Sequence, residues 1–170
     1  MIRDLLKHCA KPMVMLFVLG LVTGGAFTAK AETEHSATIK EAMGVMKSDA
    51  AKLGEPKVDG SSLFFGTTKM NGNYELVDAL KTHFGCTATF FVKKGDAFIR
   101  ISTNVLKEGN RAVGTPLDPK GLAIAAIQKG EVFYGVVDIL GSQYDTGYEP
   151  IKNAAGEIIG VYYIGFPLVK

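Results

Sequence analysis

The sequence predicts an α+β domain: one five-stranded antiparallel sheet with a long N-terminal helix and short covering helices. Three observations predict it. Apolar residues recur at helical spacing over Ser36 to Leu53 and in two shorter stretches. From Thr87 onward the chain is dominated by β-rich runs bounded by turn residues. The last three of these runs are joined by loops too short for a crossover, so they must form an antiparallel meander.

In the long helix, Ile39, Met43, Met46, Ala50 and Leu53 make one apolar stripe, and Gly54 and Pro56 stop it. Residues 54 to 62 read as a loop of Gly, Pro, Asp and Ser. Leu63-Phe64-Phe65-Gly66 is a short apolar run of strand type, and Asn71-Gly72 is a turn. Asn73 caps a second helix, Tyr74 to His83, which Gly85 ends. Thr87 to Val92 and Ala97 to Thr103 form a hairpin about Lys93-Lys94-Gly95-Asp96. A polar loop, 104 to 116, precedes a helix capped by Asp118 with Pro119 in its first turn. Val132 to Leu140, Gln143 to Ile151 and Glu157 to Leu168 are the meander, with Gly141-Ser142 as the first turn. A helix inserted between the second and third strands of five is PAS-like in outline.

The N-terminus carries a different signature. Arg3, Lys7 and Lys11 precede an apolar run from Met13 to Phe27, then Ala29-Lys30-Ala31 and a polar stretch. That is the order of a secretory signal, with cleavage after Ala31. The run is shorter than the roughly 20 residues a spanning helix needs. The alternative is an uncleaved membrane anchor. Cys9 precedes the run, so lipid attachment is not supported. Export places the chain in the periplasm or outside the cell. Of 19 basic and 17 acidic residues, residues 1–31 hold Arg3, Lys7, Lys11 and Lys30 against Asp4, leaving 15 and 16. A near-neutral body argues against nucleic acid as a partner. Cys86, the one cysteine after Ala31, is either buried and inert or open to a second chain.

Residues 63 to 168 resemble the single Cache domains of the Cache 3/Cache 2 type, extracytoplasmic PAS-like sensor modules of bacterial and archaeal receptors. The resemblance is carried by Glu75 to Asp78, Gly85 to Phe91, Phe98 to Asn104, Arg111 to Thr115, Lys129 to Gly135, Tyr148 to Ile151 and Gly160 to Pro167, in that order. It divides the chain into a signal peptide (1–31), an N-terminal helix and loop (32–62) and a Cache sensor domain (63–170). Receptor members continue into a second membrane span and a signalling domain. This sequence ends at Lys170, which leads us to expect a free-standing sensor domain that signals through a partner.

Arg100 interrupts the apolar run Phe98-Ile99-Arg100-Ile101, and period two puts it on one face with Phe98 and Ser102. A guanidinium fork suits a carboxylate. The competing reading is a solvent-facing arginine on a one-sided sheet. The resemblance favours a ligand role, since ligands of such domains sit on the sheet. Tyr134, Tyr144 and Tyr148 can line a pocket and still donate one hydrogen bond. Asp138 and Asp145 are strand-embedded acids that could hold an ammonium group beside a carboxylate bound at Arg100. The expected ligand-binding set is therefore Arg100, Ser102, Tyr134, Tyr144, Tyr148 and Asp138.

Enzyme signatures are poor: there is no Gly-rich phosphate loop, no Gly-x-Ser-x-Gly elbow and no Cys-x-x-Cys-His. His83 near Cys86 offers two ligands, which do not make a zinc site. We expect no catalysis, metal or cofactor. The leading expectation is a sensor module that binds a small organic carboxylate and feeds signal transduction or chemotaxis through a membrane-bound receptor or kinase. The alternative is an accessory protein of the same fold with no small ligand, pairing with another chain, or with its own copy, through the N-terminal helix.

Overall fold

The computed structural model describes residues 33–168. The expected signal segment and its cleavage point lie outside the described residues. Residues Glu32–Lys170 form one compact unit. No helix among the described residues is long and apolar enough to cross a membrane.

Helix α1 spans Ser36–Lys52 and buries Ile39, Ala42, Met43, Met46 and Ala50. Each large side chain of that stripe contributes about 1.5–3 kcal/mol by leaving water. Ile39, Met43 and Met46, the stripe that the sequence offered for pairing with a second chain, are buried in the chain's own core. The segment 54–62, expected to be a loop, is instead mostly strand. β1 (Pro56–Asp59), β2 (Ser62–Phe65) and β3 (Thr68–Lys69) form a small antiparallel sheet in that order. Pro56 opens an edge strand, where a missing N–H costs no ladder bond. Leu63 and Phe65 drop from β2 into the core, Phe65 packing edge-on to Phe90 at 5.9 Å.

Helix α2 spans Glu75–Phe84. The Asn73 side-chain oxygen accepts the Glu75 N–H at 3.0 Å, and Gly85 ends the helix with φ 72°. β4 (Thr87–Lys94) and β5 (Ala97–Thr103) form the expected hairpin. A second small hairpin, β6 (Leu106–Lys107) with β7 (Asn110–Arg111), lies inside the expected polar loop. Helix α3 runs from Leu122 to Gln128, four residues after the predicted cap. Asp118 does not cap it: its carboxylate accepts the Lys120 N–H at 2.9 Å, holding a turn that delays the helix. β8 (Phe133–Ile139), β9 (Ser142–Lys152) and β10 (Ile158–Pro167) form the meander. Its first turn is Leu140-Gly141, one residue before the expected place, with φ of 54° and 88°.

The main sheet is antiparallel throughout, in the order β5-β4-β10-β9-β8, the PAS-like arrangement the sequence predicted. The last strand is therefore the central one. Val161 to Phe166 of β10 is buried on both faces. One face carries α1, α2 and the small sheet over Phe90, Tyr162 and Ile164. The other carries α3 and the 104–121 segment over Phe91, Tyr148, Val161 and Tyr163.

A bulge breaks the alternation of β5. Phe91 opposes Arg100, but Phe90 opposes Ser102, so Ile101 has no cross-strand partner. Ser102 is thereby turned to the α1 face, where its hydroxyl bonds the Asn73 carbonyl. The expectation that it shares a face with Arg100 is corrected.

Two predictions follow from this packing. A Cβ at Gly147 would lie 2.7 Å from the Tyr134 ring and 2.8 Å from Ile39 of α1. Gly147→Ala is expected to lift α1 from β9 and cost about 1–3 kcal/mol, the range for overpacking. Urea denaturation measures it, and an unchanged midpoint would contradict this packing. Cys86 is fully buried and its thiol faces the Leu80 carbonyl. Burial pushes its pKa up to about 11. At pH 8 a thiol reagent should label it only as fast as the protein unfolds; rapid labelling of the native protein would place it at the surface.

Candidate functional site

On the α3 face a cavity of about 330 Å³ opens between the sheet and the segment 116–123. Arg100 of β5 and Tyr148 of β9 reach it from the sheet, and β8 borders its mouth. A cavity of this size suits a small organic molecule.

Arg100 is 4% exposed. Its guanidinium lies over the Phe91 ring, 5.0 Å from the centroid, a contact set by the hairpin register that pairs the two residues. Nη1 donates to Thr115 Oγ1 at 2.8 Å and, at 3.4 Å, to the Pro116 carbonyl. Nε is buried and has no hydrogen-bond partner. Among the described residues no carboxylate pairs with Arg100. Burial lowers the pKa of this cation, but from so high a value that it stays charged at any working pH. A buried, charged donor without an acid partner costs several kcal/mol unless something supplies the missing charge.

Tyr148 is 1% exposed and packs on Tyr163 at 4.9 Å between centroids. Burial raises its pKa, so the phenol stays protonated and can donate; nearby Arg100 lowers that pKa and Asp118 raises it. Arg100 and Tyr148 thus bring a guanidinium and a phenol to one cavity, and Asp118 stands at its rim.

The segment that walls the cavity is held by β5. Gly114 donates to the Arg100 carbonyl at 2.8 Å, Arg100 to Thr115 at 3.0 Å, and Leu117 to Phe98 at 2.8 Å. Further back, Arg111 ties the same segment to α2. Its guanidinium forms a two-pronged pair with Asp78, both bonds 2.8 Å, and covers the Tyr74 ring at 4.2 Å. The partners are 32% and 45% exposed, so the pair positions the segment more than it stabilises the fold.

The other expected site residues lie elsewhere. Tyr134 is on the α1 face, where its hydroxyl donates to Glu149 at 2.5 Å and Lys47 of α1 bonds the other carboxylate oxygen at 2.6 Å. Tyr144 shares the Tyr148 face and packs half-buried against that core, outside the cavity wall. Asp138 borders the mouth, and its carboxylate accepts the Gly141 N–H at 2.9 Å in the hairpin turn. Asp145 is buried on the α1 face, where it accepts the His35 N–H at 3.1 Å. It therefore lies across the sheet from Arg100, and the pair cannot hold the two ends of one ligand. The sequence reading missed Thr115, Phe91 and the 116–123 wall. Gly114-Thr115-Pro116, an extended segment after a polar loop, was the available signal for a chain lying along β5. Among the described residues no group of three or more His, Cys, Asp or Glu is gathered to hold a metal.

Fold and cavity together define a PAS-like α+β module with a small polar-ended pocket on its sheet. A family model described as the Cache 3/Cache 2 fusion domain matches residues 23–170, and the chain belongs to that family. Cache domains are extracytoplasmic sensor and binding modules rather than enzymes, and in that general sense this chain is one. The match includes α1 with the sheet. A search of the curated proteins found no match. Among solved structures, the chain is similar to the A. aeolicus nlh2 GAF domain in an inactive state, at 13% identity over 78% of this chain and 83% of that one, with a TM-score of 0.45. A Rhodococcus protein described as a transcriptional regulator matches at 12% identity over 71% of each chain, with a TM-score of 0.42.

Proposed function

We propose that this protein is a periplasmic or secreted sensor module, released by cleavage after Ala31, that binds a small organic carboxylate in the α3-face cavity. Arg100 grips the anionic group and the Tyr148 hydroxyl donates to it. The observation that carries this reading is the Arg100 guanidinium: buried, charged, orphaned at Nε and without an acid partner among the described residues. A bound carboxylate supplies both the missing charge and the missing acceptor.

The same guanidinium holds the cavity wall through Thr115 and Pro116. A ligand that orients Arg100 therefore also biases the 112–117 segment, which Arg111 connects to α2. Binding shifts the population of wall and helix arrangements, and a membrane-bound receptor or kinase reads the difference. This is the route to signal transduction or chemotaxis.

The test is a thermal-shift screen of carboxylates followed by calorimetric titration of the parent and of Arg100→Met. Methionine keeps the stem packed on Phe91 but removes the charge. A structural arginine facing solvent would leave affinity untouched on substitution. Here the loss should be about 1.5–3 kcal/mol, the range for hydrogen bonds to a charged group, or roughly tenfold to a hundredfold in Kd. The unliganded variant should stay within about 1 kcal/mol of the parent, because two lost hydrogen bonds are offset by relief of an uncompensated buried charge. Unchanged affinity in Arg100→Met would remove the residue from the site.

A further inference from the structure

The rim of the cavity is unusual in its chemistry. Leu122 and Leu140 line it and are 71% and 46% exposed. Deeper in, Leu117 and Ile139 are buried and Val137 is half-buried. The apolar wall therefore runs without interruption from the pocket to solvent. The charged residues at the mouth, Asp118, Lys120 and Asp138, are all exposed and keep their water. Arg100 is the one desolvated charge in the lining, which matches a ligand with a single anionic group.

Leu140 adds an independent observation. It occupies the first position of a two-residue hairpin turn at φ 54°, followed by Gly141 at 88°. Turns with positive φ at both positions favour Asn-Gly, and a residue with a full side chain costs about 1–2 kcal/mol in the left-handed region. Nothing in the fold repays a leucine there, since its side chain is nearly half exposed. Unfavourable backbone held at a cavity is a mark of ligand contact.

Resting on the reading of Arg100 as the anion site, the geometry points to an amphipathic monocarboxylate as the ligand. Its head group sits at Arg100 and Tyr148, and its aliphatic tail runs over Leu117, Val137 and Ile139 to the rim at Leu122 and Leu140. Closing the tail against these two rim side chains removes apolar surface from water on both sides. The tail, not the head, then sets specificity among carboxylates.

Calorimetric titration with acetate, butyrate, hexanoate and octanoate tests this in the parent and in Leu140→Asn. Affinity should rise about fourfold per added methylene from butyrate onward, the equivalent of about 0.8 kcal/mol per buried methylene. Leu140→Asn should melt higher than the parent without ligand, because asparagine suits the turn. Its octanoate-to-butyrate affinity ratio should nevertheless fall about tenfold, the effect of losing one apolar contact of leucine size. Gain of stability with loss of tail binding is a combination that a purely structural leucine cannot produce. A series in which short and long acids bind equally would overturn the tail assignment and leave the anion site standing. No binding of any of the four acids at millimolar concentration would remove the anion site itself. A rising series untouched by Leu140→Asn would put the tail somewhere other than this rim.

Discussion

Everything in this fold is arranged around a strand that must be buried on both faces. β10 arrives last in the chain and is apolar on successive residues, with Tyr162 and Tyr163 pointing to opposite sides. Such a strand is stable only at the centre of a sheet with a covering layer on each face. The hairpin β4–β5 closes one side of it and β9–β8 the other. The two layers then do different work. The α1 face is filled to contact: Gly147 and Ile39 meet with no room for a methyl group. The α3 face is covered by a seven-residue helix and an irregular segment, which leave a cavity.

The polar groups divide along the same line. On the α1 face, Glu149 is satisfied by Tyr134 and Lys47, and Ser102 by the Asn73 carbonyl. These bonds lock the helix layer to the sheet. On the α3 face, Arg100 keeps an orphaned Nε. The α1 face also keeps one buried polar atom without a hydrogen-bond partner, Asp145 Oδ1. Arg100 also serves as a joint, because one nitrogen of its fork already holds the wall at Thr115. The same residue therefore touches both the cavity and the segment that Arg111 fastens to α2.

Two local deviations flank the site. The bulge at Ile101 costs the ladder a paired residue, puts Ile101 into the α1-face core and turns Ser102 to that face, while Arg100 stays over Phe91. Leu140 holds a left-handed conformation at the cavity rim.

Helical stripes, turns and the meander were legible in the sequence because they depend on local chemistry. The spacing of Ile39, Met43, Met46 and Ala50 determined which side of α1 is buried, since helical geometry leaves no other choice. Short loops determined antiparallel pairing of the last three strands, and Arg100 in an apolar run marked the buried cation at the cavity. What the sequence could not carry was phase and partnership. A single unpaired residue, Ile101, reversed the face of Ser102, because strand alternation holds only while the register does. Tyr134 and Tyr148 both satisfy the pattern of a pocket tyrosine, yet only pairing with β9 and β10 decides which of them meets α1 and which meets the cavity. Asp118 had the form of a helix cap and took a local turn bond instead, moving the start of α3 by three residues. The sheet's architecture was written in neighbouring residues; the site was decided by contacts between residues far apart in the chain, whose energies no local pattern records.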